Sequence, residues 1–375
     1  MQQLPTSIAI GQRIAVAREE KGLKQEELAR AIGIASHQSV SELEKGNRGL
    51  ATGELAKLAE ALDKSVDYFV DPFSLAGEVQ YSWRRSPDTP DDVVRAFESR
   101  AGNLVGLLRW LRWQNDASTN PLKSTLRLSC LSSFEEAQSA GEQLAGNLRL
   151  GAVPADKLLE KVESVLDVPV LHVDVNRSSG ESGISGATVH LTNFTCILIN
   201  RNEPAGRRIF DLAHELFHAL TWDALRPATL ESSEITTRST AKKDRVEQLA
   251  NNFASALLMP RAHLEPAFRR ANAGDLDDLR TLALHFKVSP AALAWRLFAL
   301  QLIGKPLCEQ LAQLPADELN VERPQLYSGT FVRRLIEVLD AGQLSPRKAA
   351  KLLGLNLDDL EGLIREHGIE ASLDF

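Results

Sequence analysis

The chain has 375 residues, 43% of them hydrophobic and 6% aromatic, with a formal net charge of −7. That length predicts roughly two to four domains, and the acidity excludes a generic polyanion binder while leaving room for a local DNA-binding face. Cys130, Cys196 and Cys308 are scattered with no C-x-x-C, and no basic start or apolar run suggests a leader or membrane span. These features predict a reduced, cytoplasmic protein without disulfides, cysteine-held zinc or membrane association.

Residues 7–70 read as five short helices. Ile10, Ile14, Ala17 and Arg18 share one face of the first. Residues 25–32 form the second, with Leu28 and Ala29 inside, and Gly33 is the turn. The third covers about 38–44 and is stopped by Lys45-Gly46-Asn47. The pattern G-x-R-I-x-x-x-R-x-x-K-G-L-x-Q-x-x-L-A, then G-I, then V-S-x-L-E-x-G resembles the Xre-type helix-turn-helix family of phage-like repressors. The resemblance covers about sixty residues and implies a DNA-binding domain over 1–72. It places the third helix in the major groove, with Gln25 on phosphate and Gln38, Ser39 and Ser41 facing the bases. Such domains usually read paired half-sites, which implies operator DNA as partner and a homodimer. Two departures stand out: Lys24 replaces the usual Thr or Ser N-cap, and the 34–38 turn is one residue longer than usual. The alternative is a helical dimerisation module without DNA binding.

A helical linker region is expected over 73–132. Its 81–90 stretch is rich in turn residues, and a long helix follows over 91–114 with Val94, Phe97, Leu104, Leu107, Leu108 and Leu111 inward. Trp110 and Trp113 alternate with Arg109 and Arg112. Such interleaving suits either stacking on single-stranded nucleic acid or an amphipathic packing helix with snorkelling arginines.

From 133 to 305 the pattern changes twice. Helices are expected over 133–148 and 156–166, then strands over 168–175, 187–191 and 194–200, the last two a hairpin turning at Thr192-Asn193. A helix follows carrying His214-Glu215-Leu216-Phe217-His218, an H-E-x-x-H motif. Residues i and i+4 share a helix face, so both imidazoles can reach one metal ion, and Glu215 can act on a water bound to it. A catalytic zinc wants a third protein ligand. No third histidine follows in register. Glu247 lies at the edge of an apolar stripe of Val246, Leu249, Ala250, Phe253 and Leu257 on a later helix and is the candidate, with Asp244 as runner-up.

R-R-x-F-x-L-A-H-E-L-x-H (207–218) and E-x-x-A-N-x-F-A-x-x-L-L-M-P (247–260) resemble the ImmA/IrrE family of metallopeptidases. Gly151-x-x-Pro154 and V-S-P-x-A-x-x-x-R-L (288–297) add to the likeness, which covers about 136–305. It implies His214, His218 and Glu247 as ligands of Zn2+ (or Mn2+ in its place), Glu215 as general base, and cleavage of a regulatory protein in response to stress or mobile elements. Phe217 stands where Gly is common, and Asp211 where Thr is usual. His190, His263 and Tyr327 are open candidates for an oxyanion partner.

A helical C-terminal unit is expected over 306–375. Within it S-P-x-x-A-A-x-L-L-G-L (345–355) reads as a compact helix-turn-helix-like unit, suited to packing, to partner docking or to a second DNA contact. The expected fold is therefore mainly α with an α+β core: an all-α helix-turn-helix domain, a small three-stranded sheet with a zincin-like H-E-x-x-H helix, and the helical C-terminal unit. The expected function is a DNA-binding transcriptional regulator fused to a zinc endopeptidase. Its protein substrate would be a helix-turn-helix repressor, a co-encoded regulator or a toxin. The rival is a non-proteolytic transcription factor or antitoxin-like protein using the peptidase fold as sensor or docking scaffold.

Overall fold

The computed structural model describes residues 7–34, 36–76, 78–85, 91–114, 126–175, 184–191, 194–225, 237–315 and 322–369. The chain is mainly α with an α+β core and divides into two compact units. One comprises Met1–Val79, Asp91–Thr119 and Gly329–Phe375; the other comprises Gln80–Pro90 and Asn120–Ser328. The segments 73–132 and 306–375 are each divided between the two.

In the first unit α1 (Ser7–Glu20), α2 (Gln25–Ile32), α3 (His37–Glu44), α4 (Thr52–Leu62) and α5 (Val66–Val70) enclose a core that includes Ile14, Leu28, Ile32, Val40, Leu58 and Phe69. Gly33 ends α2 at φ 75°, in the left-handed region that glycine enters without a Cβ clash. The start of α2 explains why Lys24 is tolerated: the Glu27 carboxylate accepts the Lys24 N–H at 2.7 Å, so this end is satisfied without a hydroxyl cap. Ser36 caps α3 by accepting from Ser39 N–H.

The long helix α6 (Asp91–Gln114) belongs to this unit and has the bounds expected for it. Arg13, fully buried, donates to the carbonyls of Phe69, Asp71 and Ser74 and to Glu78, while Arg109 of α6 donates to Glu78 at 2.6 Å. Two buried guanidiniums thus share one carboxylate and pin the 69–78 loop between α1 and α6. Trp110 is 1% exposed and packs on Phe73 at 5.3 Å between ring centroids. Arg109 and Arg112 are buried as well, so this face packs instead of offering a stacking surface; the Trp113 side chain lies outside the described residues. Gly106 makes the approach possible, because a Cβ there would lie 1.9 Å from the Phe73 carbonyl oxygen. Gly106→Ala should therefore destabilise this unit by roughly 1–3 kcal/mol, the usual cost of overpacking. Denaturant unfolding followed by tryptophan fluorescence checks this; an unchanged midpoint would refute the close packing.

The second unit opens with β1 (Gln80–Arg85), followed by α7 (Phe134–Asn147), α8 (Leu158–Ser164), β2 (Val170–Val173), β3 (Ile184–Leu191) and β4 (Phe194–Asn200). Then come α9 (Ala205–Thr221), α10 (Thr237–Leu258), α11 (Arg261–Phe268), α12 (Leu276–His285), α13 (Pro290–Ala299) and α14 (Lys305–Ala312). Among the described residues the sheet has four strands, not the three expected, in the order β1-β3-β4-β2. The added strand comes from the stretch read as turn-rich. It pairs antiparallel with β3 from Gln80↔His190 to Arg84↔Gly186, with an irregularity at Arg84/Arg85. The serine and prolines after Arg85 dominated the sequence pattern, and strand pairing at such distance leaves no local trace. The Thr192-Asn193 turn lies outside the described residues. Every residue of the central strand β4 is buried, as its near-continuous apolar run requires. Helix α9 packs on β3 and β4, and α10 packs on α7 and α9.

In β2, burial together with the nearby Arg208 and Arg201 pushes His172 down to about 4. The folded ring is therefore neutral, whereas the unfolded ring takes up a proton near its ordinary pKa of about 6.5. Proton uptake favours unfolding, so His172's contribution is complete above about pH 6.5 and declines as pH falls toward 4. The ceiling on that loss is about 3 kcal/mol. His172→Gln should flatten stability against pH across this window in urea titrations; an unchanged pH slope would contradict it.

At the C-terminal end α15 (Gly329–Asp340), α16 (Pro346–Leu353) and α17 (Leu357–Glu366) rejoin the first unit, with α15 and α16 against α6. Lys348 of α16 lies 3.2 Å from Asp71 and 5.3 Å from the Phe73 ring centroid. Gly354 at φ 69° ends α16. The S-P-x-x-A-A-x-L-L-G-L unit is thus packed against the same loop that Arg13 and Arg109 hold.

Candidate metal centre and recognition helix

Helix α9 starts after Pro204, whose carbonyl accepts from Arg207 and Arg208, and is buried from Asp211 to Thr221. Its two histidines stand one above the other, His214 Nε2 and His218 Nε2 being 3.1 Å apart. Glu247 reaches across from α10, with Oε2 at 3.1 Å from His214 Nε2 and Oε1 at 3.6 Å from His218 Nε2. One ligand atom from each residue lies within 4.8 Å of the others. Asp244, the runner-up ligand, has its side chain outside the described residues.

The hydrogen bonds around His214 show what this cluster fits. Its Nδ1 lies 2.9 Å from Asn251 Oδ1, an acceptor, which places the ring proton on Nδ1. The Nε2 lone pair then faces a carboxylate oxygen and a second imidazole nitrogen. Two buried imidazoles with one half-buried carboxylate are a donor set suited to a divalent metal.

Glu215 is 1% exposed and points to the sheet side of α9. Thr188 Oγ1 of β3 lies 2.8 Å from both Glu215 Oε2 and the Glu215 carbonyl oxygen, fixing the carboxylate to its own helix. Two residues earlier on the same strand face, a Cβ on Gly186 would be 3.3 Å from Glu215 Cγ, so glycine leaves the space that Glu215 occupies. Phe217, anomalous in the sequence, is fully buried between Phe253, 5.5 Å away, and the edge of His218, 5.7 Å away. It fills core space between α9 and α10.

Asn251, Thr188 and Gly186 were not singled out by sequence reasoning. Asn251 had a signal: it sits four residues after Glu247, on the same helix face. Thr188 and Gly186 had none, since their role depends on which strand lies beneath α9. Of the oxyanion candidates, His190 stacks on Trp222 at 4.8 Å and lies 2.9 Å from Thr195 Oγ1, while His263 is exposed on α11. Tyr327 is buried, its N–H donating to the His172 carbonyl.

On the helix-turn-helix, Gln25 Nε2 donates to Glu44 Oε2 at 2.7 Å, and Arg18 Nε donates to Glu44 Oε1 at 2.6 Å. This network ties α1, α2 and α3 together. Gln38 is exposed on the first turn of α3, beside an exposed His37 that the sequence reading passed over. Ser39 is half-buried with its Oγ 3.3 Å from Ser36 Oγ, and Ser41 is also half-buried.

Residues 170–298 match the family model described as the IrrE N-terminal-like domain, a peptidase family, and residues 14–69 match a helix-turn-helix model. An uncharacterized HTH-type transcriptional regulator of Rickettsia prowazekii is 38% identical over 71 residues, 19% of this chain and 54% of that protein. Its counterpart in Rickettsia conorii is 37% identical over 71 residues, 19% of this chain and 56% of that protein. The chain thus spans about half the length of the curated relatives it matches. The apo form of the competence regulator ComR from Streptococcus vestibularis aligns over 97% of this chain and 99% of that one. Its identity is 12% and its TM-score 0.17, too low to define a common fold. Among the described residues no helix is long and apolar enough to cross a membrane. The chain thus carries, in order, a stretch that matches a helix-turn-helix model and a stretch that matches an IrrE N-terminal-like domain.

Proposed function

We propose that the chain is a DNA-binding transcriptional regulator whose IrrE-like domain is a zinc-dependent endopeptidase that cleaves a partner regulator. The carrying observation is the convergence of His214, His218 and Glu247, with Glu215 next to His214 in the chain and its carboxylate held by Thr188. Zn2+, or Mn2+ in its place, would be held by those three residues, lower the pKa of its bound water and polarise the scissile carbonyl. Glu215 takes the proton from the attacking water and passes it to the leaving amine. Thr188 keeps the carboxylate aimed, and Asn251 keeps the His214 ring turned toward the cluster.

The test is to incubate the full chain, loaded with Zn2+, with the regulator encoded beside its own gene and to follow both by intact mass. One discrete cut is expected. No cut by metal-loaded protein, in that regulator or in the chain itself, would count against the peptidase reading. The curated relatives are named as transcriptional regulators, which supports a second reading: a non-proteolytic regulator or antitoxin-like protein that uses the peptidase fold as sensor or scaffold. A toxin encoded next door, bound but uncut, would favour it.

On DNA, the exposed Gln38 is the base-reading residue and Lys24, exposed at the start of α2, a phosphate contact, with the protein a homodimer on paired half-sites. Gln25 acts indirectly by holding Glu44, while Ser39 and Ser41 line the groove-facing side of α3. Gln38→Ala should cost about 1–3 kcal/mol on the cognate site and little on random DNA, and Lys24→Ala should weaken both alike. Fluorescence anisotropy with DNA from upstream of its own gene separates the two. Equal losses for Gln38→Ala on both DNAs would remove it from base reading.

A further inference from the structure

Strand β3 is the part of the sheet that touches the candidate base. Thr188 holds the Glu215 carboxylate, and Gly186 leaves room for its Cγ. One edge of β3 is paired with β4, and the other is covered by β1. In that pairing Ser82 lies opposite Thr188 and Arg84 opposite Gly186. Directly opposite residues of an antiparallel pair share a face of the sheet. Ser82 therefore faces α9 together with Thr188 and is 5% exposed. Two residues earlier, Gln80 Oε1 accepts from Nε1 of Trp222, just past the end of α9, at 3.2 Å. β1 thus runs one strand spacing, about 4.8 Å, from the two residues that border Glu215. An extended peptide laid on β3 by backbone hydrogen bonds would take the same path. One laid on the outer edge of β1 would lie about twice as far from β3.

Three features set β1 apart from the other strands. Its chain neighbours on both sides, Met1–Val79 and Asp91–Thr119, belong to the first unit, while β1 itself belongs to the second. It is six residues long and, among the described residues, packs chiefly on β3. Its ladder loses register between Arg84 and Arg85, at the end that reaches Gly186. A short strand held mainly by one ladder can be exchanged for another extended segment, because the backbone donors and acceptors of the edge beneath it read no side chain. The edge it vacates would then be an acceptor for a segment of a protein.

We propose that β1 is a resident strand in the place of an extended segment of a protein substrate, and that it must leave the β3 edge before such a segment can lie beside Glu215. The proposal rests on the peptidase reading, but the strand exchange can be measured without cleavage. In Tyr81→Pro/Ser82→Pro the ladder is broken: adjacent strand residues point their N–H groups to opposite edges, so one of the two prolines removes a donor that faces β3. In Trp83→Cys/Ala187→Cys, a directly opposed pair, a disulfide pins β1 to β3 on the sheet face opposite Thr188. The probe is a fluorescent peptide of residues 79–86, followed by anisotropy against the full chains, with a scrambled peptide as control. The tethered β1 competes at an effective concentration on the order of millimolar, so the peptide should bind the diproline chain about tenfold or more tighter than wild type. Oxidation of the double-cysteine chain should abolish binding, and reduction should restore it. With the partner regulator as substrate, the diproline chain should cut about tenfold faster and the oxidised chain about tenfold slower, by the same competition. Circular dichroism checks the diproline fold; where it fails, the double-cysteine chain decides alone. Equal peptide binding by wild type and a folded diproline chain, binding indifferent to oxidation, or binding no better than the scrambled peptide would each overturn the proposal. So would a folded diproline chain that cuts more slowly than wild type, since β1 would then be part of the platform that holds the substrate. Peptide exchange as expected with no cut by any form would uphold the exchange and count against the peptidase reading alone.

Discussion

Glu215→Gln should lower the rate of substrate cleavage by roughly 10²–10⁴-fold, the usual contribution of a positioned general base, while leaving metal content unchanged. Glutamine has the shape of glutamate and can still accept from Thr188, now 2.8 Å from Glu215 Oε2, so the local packing survives. What it loses is the capacity to accept a proton. None of the three clustered ligand residues is touched, which separates this variant from His214→Ala, where metal and activity should fall together. Thr188→Val is the intermediate case: it keeps the base but frees the carboxylate to turn, and its loss should be smaller than that of Glu215→Gln. Single-turnover cleavage of the partner regulator, with metal counted by elemental mass spectrometry, distinguishes the three. Cleavage within threefold of wild type in Glu215→Gln would remove Glu215 from the chemistry.

The parts of this molecule that were legible in sequence are those whose physics is local. H-E-x-x-H on an apolar helix needs only a period of 3.6 to place His214 and His218 on one face, and α9 puts them there. Glu247 was marked by the cost of a carboxylate beside a buried stripe, and it lies next to both histidines. The bounds of α6 followed from its apolar spacing and from the turn residues before it. What escaped was non-local. Gln80–Arg85 becomes a strand only because β3 has a free edge to pair with, and the turn-rich residues after it masked that possibility. Thr188 and Gly186 matter only because β3 passes beneath Glu215. Phe217, out of pattern in the sequence, is core, since its ring lies against Phe253, a partner from another helix. The 345–355 unit left packing, docking and DNA contact open, and the contacts of Lys348 with Asp71 and Phe73 fit packing.

The second large effect concerns Asn251. Asn251→Ala should weaken binding of the metal by about 10–100-fold, the usual range for removing a residue that orients a histidine ligand. Asn251 Oδ1 at 2.9 Å holds the proton on His214 Nδ1 and so leaves the Nε2 lone pair directed at the cluster. Without that acceptor the ring can place its proton on Nε2 or rotate away, and each alternative must be reversed before the metal binds. The helix itself does not suffer, because alanine is the better helix former. Asn251→Asp is the control that gives the argument its direction. An ionised carboxylate accepts from Nδ1–H more strongly than a carboxamide and increases the basicity of Nε2, so metal affinity should match or exceed wild type. The expected order is Asp at least equal to Asn, and both far above Ala. Competition for Zn2+ against a chromophoric chelator reads this order without any turnover. An Asn251→Ala protein that holds zinc as tightly as wild type would mean that the packing around the buried His214 already fixes the ring and that the carboxamide is only a neighbour.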